Sequence, residues 1–349
     1  MTEIKSRPPR GSVALSQKAV VMLAMAATAI VSAAIFWGQL QRNTPPILTS
    51  PVTIALPTQI NSASMLVAFG QGLFQKAGVS VVNQPFLLGK DALKSLLDGK
   101  ADLAIVADVP VMFALNSGSD IAILAGISQA RKALAVVARS DRSIANMQDL
   151  KGKTLALTKG ANFPYFLDAM LQVNKIPSES VTLVDMKTPD AIAAFTDGKV
   201  DAAVVFQPFL AQMELSMGAQ MKVFYGEDVY AFRFLLVGRP AYIDGHPQEI
   251  RRILSALAQA NQSIADNQVA ARQLVGAAVK VDDAVMSKLF DPADYVLSLD
   301  QAMLLALDDQ TRWAMQSGLV KEGPVPNYLR YIKHQDLEAV NPAAVKIVR

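Results

Sequence analysis

The chain has 349 residues, of which 52% are hydrophobic and 18% are charged, and its formal net charge is +3. This small net charge, without a long run of Lys and Arg interleaved with aromatic residues, argues against nucleic-acid binding. The absence of cysteine excludes disulfides, Cys-ligated zinc, iron–sulfur clusters, a lipid-modified cysteine and a cysteine nucleophile. The length suffices for an N-terminal extra segment followed by two α/β units.

The first 40 residues have the composition of a membrane-targeting segment. Residues 1–18 form a basic tail, and residues 19–40 are almost wholly apolar and uncharged, which is long enough to span a bilayer as a helix. We favour an uncleaved anchor that leaves the tail in the cytoplasm, and the alternative is a signal cleaved near the small residues 31–33. Residues 41–51, with three prolines, are expected to form an extended linker.

An internal duplication follows the linker. Residues 91–106 read DALKSLLDGKADLAIV and residues 190–205 read DAIAAFTDGKVDAAVV, and half of the aligned positions are identical. Each copy predicts an amphipathic helix, a glycine that ends it, and a buried parallel strand. Each copy is also preceded by a strand, a polar loop and a helix. The sequence therefore predicts two open parallel α/β units.

The connections between these units are predicted from breaks in the apolar pattern. Two strand candidates, residues 121–124 and 133–138, end at a polar stretch, residues 139–143, which we interpret as the first crossing. The return crossing is expected near residues 225–232. These positions predict a first lobe made of residues 52–138 and 233–349 and a second lobe made of residues 139–232. An apolar stripe that begins at Ile250 predicts a core-facing helix after the return.

The usual signatures of catalysis are missing from the sequence. Its two histidines, His246 and His334, belong to no metal-binding spacing, so a His-based metal site is not expected. There is no GxSxG elbow and no P-loop, and Gly70-Gln71-Gly72 lies within a helix pattern instead of after a strand. We therefore expect no catalytic residues, no metal and no cofactor.

Four loops at the carboxyl ends of the predicted strands are the candidate ligand site, because ligands of open α/β sheets bind there. Two of the loops precede helices whose free N–H groups favour an anion. Two phenylalanines are candidates for contact with an apolar ligand part, although each is also an ordinary core residue. Asp108 either accepts from a ligand amine or caps its own helix. The candidate residues are Thr58, Gln59, Asn61, Asp108, Lys159, Ala161, Asn162, Phe163, Phe206 and Gln207.

At these positions the chain resembles the nitrate-, sulfonate- and taurine-type solute-binding proteins of ABC importers. The resemblance covers residues 52–332 and rests on the order and spacing of motifs that are individually weak. The motifs are Asp-Gly-Lys-Ala-Asp at 98–102, Ala-Asp at 107–108, Leu-Lys-Gly-Lys at 150–153, Phe-Gln-Pro at 206–208, residues 313–319 with Gly318, and Pro-Asn-Tyr at 326–328.

The resemblance implies an α/β clamshell of periplasmic-binding-protein type II, which closes two lobes around a small solute. It further implies delivery to a membrane permease with its ATPase, a location on the periplasmic side of the bacterial inner membrane, or in the periplasm after cleavage, and a monomer. Two departures argue against a taurine-like ligand: Gln207 stands where taurine-type members tend to have a carboxylate, and Phe206 replaces their usual Trp. The alternatives are a membrane-anchored sensory ectodomain and an enzyme on the same fold.

Overall fold

A computed structural model describes residues 51–348, which contain two five-stranded mixed sheets. The elements before the first crossing are β1 (Val52–Pro57), α1 (Ala63–Gly70), α2 (Leu73–Lys76), β2 (Val81–Phe86), α3 (Gly89–Leu97), β3 (Leu103–Ala107), α4 (Asp108–Asn116) and β4 (Ala122–Ala130). The elements between the crossings are β5 (Leu134–Arg139), β6 (Thr154–Leu157), α5 (Phe163–Val173), β7 (Thr182–Asp185), α6 (Thr188–Thr196), β8 (Ala202–Phe206), α7 (Phe209–Met217) and β9 (Met221–Tyr225).

After the return crossing the chain adds the last strand of the first sheet and a layer of helices. These elements are β10 (Phe232–Gly238), α8 (Pro240–Gly245), α9 (Pro247–Asp266), α10 (Gln268–Val279), α11 (Asp283–Leu289), β11 (Leu299–Asp300), α12 (Gln301–Gln316), α13 (Gln335–Val340) and β12 (Val345–Lys346). Helix α9 packs on α1 with Ile250, Ile253, Leu254 and Leu257 fully buried, which confirms the stripe read from the sequence. Among residues 51–348, no helix has the length and apolar character needed to cross a bilayer.

The two sheets have the same design. The first has the order β2-β1-β3-β10-β4 and the second the order β7-β6-β8-β5-β9. In each, the first three strands are parallel and the fourth runs antiparallel to its neighbours. The fourth strand is in both cases the first strand after a crossing. We call the elements around the first sheet the first lobe and those around the second sheet the second lobe.

The duplicated segments occupy equivalent places in the two sheets, which confirms two α/β units of the same design. The sheets are mixed and not wholly parallel as predicted, because the strand that enters each sheet after a crossing runs antiparallel to its neighbours. The first copy spans α3 and β3, and the second spans α6 and β8. Gly99 and Gly198 both have φ of +74°, the left-handed conformation that ends a helix without steric cost. The repeated Asp102 and Asp201 each accept a hydrogen bond from a backbone N–H at the start of the neighbouring strand, that of Thr53 at 2.8 Å and that of Thr154 at 2.9 Å.

The first crossing lies earlier in the chain than the sequence predicts. Strand β5 pairs with β8 and β9, so it belongs to the second sheet, and residues 131–133 form the crossing instead of residues 139–143. The reason is that the apolar run of β5 fits either sheet, and only its hydrogen-bond partners decide. The return passes through residues 226–231. The predicted tail 1–18 and anchor 19–40 lie outside the described residues.

Candidate functional site

A narrow cavity, here called the central cavity, lies between the two lobes. Its wall is built by the loops that follow β1, β2, β3 and β6, together with β5, β8 and β10 beside the crossings. The lining residues are Gln59, Asn61, Leu88, Gly89, Lys90, Ala107, Pro110, Ala133, Leu134, Ala161, Asn162, Phe163, Phe206, Phe232 and Phe234. The cavity therefore lies where parallel strands end and helices begin, as expected for an α/β ligand site.

Positive electrostatic potential is concentrated on this wall. Helices α3, α4 and α5 all begin at the cavity, and the first N–H groups of a helix have no partner within the helix. Lys90, in the first turn of α3, is the only charged residue of the described chain that lines the cavity. A wall with a cation and helix N-termini but no carboxylate favours an anion.

Apolar and aromatic side chains complete the wall. Phe163 and Phe206 stack with ring centroids 5.8 Å apart, and Phe209 packs edge-on against Phe206 at 5.2 Å. Phe232 and Phe234, on β10, are buried and in edge-to-face contact at 4.9 Å. This combination suits a ligand with one anionic end and one apolar end, because few polar groups fix orientation while apolar contacts supply affinity.

The structure brings six of the ten predicted site residues together on this wall: Gln59, Asn61, Ala161, Asn162, Phe163 and Phe206. The other four lie elsewhere. Thr58 is half-buried beside the cavity, and Lys159 is exposed on the lip of an adjoining groove. Asp108 and Gln207 are buried and do not line the central cavity.

Asp108 belongs to a buried hydrogen-bond chain. Its carboxylate accepts from the Tyr230 hydroxyl, from Gln310 Nε2 at 2.8 Å and from the Val109 N–H at 3.0 Å. The Val109 contact is not the predicted helix cap, because Asp108 is the first residue of α4 and Ala107 holds the N-cap position. Burial raises the Asp108 pKa to about 6, although these hydrogen bonds and the charge of Arg233 oppose the rise. Burial, followed by the Asp108 charge, raises the pKa of Tyr230 well above its ordinary value, which keeps its hydroxyl protonated.

This chain connects Asp108 to the cavity wall. Asn162 Nδ2 contacts the Tyr230 hydroxyl at 3.4 Å, and Asn162 lines the cavity. Tyr230 lies in the return crossing, Asp108 in the first lobe and Asn162 in the second. The three side chains therefore join both lobes and the crossing through two consecutive buried hydrogen bonds.

Gln207 lines a separate cavity on another side of the crossings. Its Oε1 accepts from the Ala211 N–H at 3.2 Å, and its side chain also interacts with the Tyr225 hydroxyl, which opposes the rise that burial causes in the Tyr225 pKa. That cavity also contacts Asn61 and Ala133, which form the partition between it and the central cavity. Within residues 51–348 no group of three or more His, Cys, Asp or Glu side chains is arranged to hold a metal ion.

Two direct contacts hold the lobes together at the cleft. Lys90 Nζ, from the first lobe, donates to the Lys159 carbonyl oxygen of the second at 2.9 Å. Trp313 Nε1, on α12, donates to Asp168 Oδ2 on α5 at 2.9 Å, and its ring packs edge-on against Tyr165. Lys90, Trp313 and Tyr230 were all missed as site residues. A glycine and a lysine directly before the duplicated helix are the one sequence signal that points to Lys90.

Comparisons of this chain with protein families and known proteins agree with this architecture. Residues 59–271 match the NMT1/THI5 like family, and the chain belongs to that family. A putative aliphatic sulfonates-binding protein of Bacillus subtilis is 28% identical over 59% of this chain, and one of Escherichia coli is 26% identical over 61%. The matched regions are 64% and 67% of those relatives' own lengths.

Solved structures share the two-lobe fold. The alkanesulfonate-binding protein SsuA from Xanthomonas axonopodis pv. citri, bound to MOPS, superposes with a TM-score of 0.72 at 18% identity. The match covers 81% of this chain and 98% of that one. The desulfurization enzyme DSZB also superposes, with a TM-score of 0.63, 16% identity and coverage of 83% and 98%. Binding proteins and an enzyme thus share this fold, so the fold alone does not decide the activity.

Proposed function

We propose that this protein is the solute-binding component of an ABC importer and captures an organic anion of the sulfonate class in the central cavity. The observation that carries the proposal is the wall itself, where three helix N-termini and Lys90 converge beside Phe163 and Phe206 without a carboxylate. The sulfonate-binding relatives support the ligand class, and their periplasmic counterparts support a location outside the cytoplasm.

The residues of the cavity wall suit ligand binding better than catalysis. Its polar side chains are amides and one ammonium group, which bind and orient an anion but form no nucleophile–base pair. The only strongly perturbed carboxyl beside the cavity, Asp108, is screened from it by Asn162 and Tyr230. This arrangement suits a protein that returns its ligand unchanged.

Replacing Lys90 by Met tests the anion site. The loss of one charge-assisted contact is expected to weaken binding of an alkanesulfonate roughly 10- to 100-fold, as measured by titration calorimetry with a panel of chain lengths. Lys94→Met is the matched control, because Lys94 lies one turn later on α3 with its side chain 72% exposed. Equal affinities for both variants, or no binding of any sulfonate to the parent protein, would contradict the proposal.

The sensory alternative makes a different prediction for transport. Cells that lack the gene are expected to lose uptake of the labelled sulfonate, and uptake is expected to return with the parent protein but to remain impaired with Lys90→Met. Normal uptake in the deletion strain, with binding intact in the purified protein, would instead favour a membrane-anchored ectodomain that senses the same solute.

A further inference from the structure

The central cavity opens into a second, larger space between the lobes, here called the outer groove. The groove is the wider of the two spaces and is open to solvent. Lys90, Pro110 and Ala161 line both spaces, so the two adjoin directly. A bound head group fills the first space but leaves the second open to whatever the head group carries.

Apolar side chains from both lobes face this groove. Three of its leucines are unusually exposed: Leu97 at the end of α3 is 45% exposed, Leu183 on β7 is 38% and Leu319 after α12 is 55%. Single exposed leucines are ordinary on protein surfaces, but leucines from three separate elements around one groove form a patch, which marks a binding surface. Phe113 and Trp313 extend the same lining and are partly buried.

The charges around the groove suit an anionic ligand. Lys90, Lys159 and Lys321 line it, against the single carboxylate of Asp168, which already accepts hydrogen bonds from Trp313 and Ser178. Lys90 stands at the junction with the central cavity. An anionic head in the central cavity and an apolar tail along the leucines would match this order of charge and apolar surface.

We infer that the preferred ligand is an amphiphilic anion whose alkyl or aryl tail, about six carbons or longer, lies in the outer groove. This inference rests on the proposed function and specifies its ligand class. The minimum length follows from the position of the groove, because a one- or two-carbon tail on a head group in the central cavity would not extend past Lys90 to the exposed leucines. Burial of each further methylene then raises affinity, about twofold where the chain stays half in contact with water.

Titration calorimetry of the full-length protein with ethane-, butane-, hexane- and octanesulfonate, kept below micelle-forming concentrations, tests the inference. We expect affinity to rise about twofold per methylene, roughly 60-fold across the series. Octan-1-ol is expected to bind far more weakly than octanesulfonate, and similar affinity for the two would overturn the requirement for an anion.

Two groove variants identify where the tail lies. Leu97→Gln and Leu319→Gln are each expected to weaken octanesulfonate binding about fivefold and to change ethanesulfonate binding less than twofold. Leu305→Gln is the matched control, because Leu305 on α12 is 57% exposed and does not line the groove. Any binding of the tail to the apolar N-terminal segment would be the same in all variants, because they share that segment. The difference between the groove variants and the control therefore reports the groove alone.

The outcomes separate this inference from the proposed function. Ethanesulfonate that binds as tightly as octanesulfonate, with no effect of the leucine variants, would overturn the inference and leave the sulfonate site standing. Failure of every sulfonate to bind would overturn both. Leucine variants that reduce transport without changing the chain-length series would assign the groove to contact with the permease, and that result too would overturn the inference.

Discussion

The side chain of Asp108 is connected to the central cavity through buried hydrogen bonds and does not line the cavity itself. It is fully buried at the start of α4, yet it is connected to the cavity wall through Tyr230 and Asn162. Its raised pKa results from burial, and three donors and the charge of Arg233 keep the rise moderate. Near neutral pH the carboxyl is ionised and holds the Tyr230 hydroxyl toward the first lobe.

This raised pKa predicts a specific pH dependence of stability. The folded-state pKa of about 6 exceeds the ordinary value of 3.8, so the folded protein binds this proton more tightly than the unfolded chain does. The stabilising contribution is complete below about pH 4 and is lost as the pH rises through 6, by roughly 3 kcal/mol at most. Asp108→Asn is expected to remove this slope, as measured by denaturant unfolding at several pH values between 4 and 7.

Asp98→Asn provides the contrasting control for this experiment. Hydrogen bonds from Lys94 and Lys100 lower the Asp98 pKa from 3.8, so its stabilising contribution is lost only as the pH falls below about 4. Removing this exposed group is therefore expected to leave the slope between pH 4 and 7 almost unchanged. An Asp108→Asn protein with the same loss of stability between pH 4 and 6 as its parent would contradict the assignment.

At the scale of elements, the duplication explains which repeated residues are structural. Asp102 and Asp201 both bind an N–H at the start of a neighbouring parallel strand, and Asp201 also lies 3.5 Å from the Arg142 guanidinium. Asp98 and Asp197, repeated at the same spacing, contact only exposed lysines. The first pair therefore holds the strand starts in register, while the second pair lies on solvated surface.

Substituting these aspartates tests the distinction. Asp102→Ala leaves the Thr53 N–H without its acceptor and is expected to lower the free energy of unfolding by about 1–3 kcal/mol. Asp98→Ala, four positions earlier, is expected to change it by less than about 0.5 kcal/mol. Denaturant unfolding at pH 7 measures both, and equal losses would show that the repeated Asp102 has no special role in strand register.

The elements predicted from the sequence are those with a strong local pattern. The duplicated helices and strands and the stripe of α9 follow from apolar spacing, and all are present. Edge strands β2 and β7 escaped prediction because both carry mostly exposed or half-buried residues, and Pro85 interrupts β2. Without β2, the loop that carries Gly89 and Lys90 to the cavity could not be located.

The assignment of β5 and of two site residues required long-range information. Strand β5 is a run of apolar residues whose sheet depends on pairing with β8 and β9, far along the chain. Asp108 and Gln207 follow strand ends, as ligand contacts do, but their side chains turn away from the cavity to buried partners. Sequence position fixes the end of a strand, whereas rotamers and distant partners decide which way a side chain points.

At the scale of the molecule, the contacts across the cleft define a closed arrangement of two lobes. The chain crosses between the two sheets at residues 131–133 and 226–231. Tyr230, in the second crossing, packs edge-on against Tyr165. Trp313 packs against the other side of this second-lobe cluster. A ligand that contacts both lobes binds the closed state more tightly than an open one. It shifts the population toward the closed state by an amount set by the difference between its two affinities.

Trp313 provides a direct reporter of closure, since it is one of only two tryptophans and the other is Trp37. In a Trp37→Phe background, ligand titration is expected to change tryptophan emission, because closure places the indole against Tyr165 and the Asp168 carboxylate.

Asp168→Ala removes the contact between lobes and should weaken binding about fivefold, the value of one hydrogen bond, while the unfolding midpoint changes little. Ser178→Ala is the matched control, because it removes the other hydrogen bond to Asp168, one made within the second lobe. Emission that stays constant through saturation, or equal binding losses in the two variants, would show that the contact between Trp313 and Asp168 does not respond to the ligand.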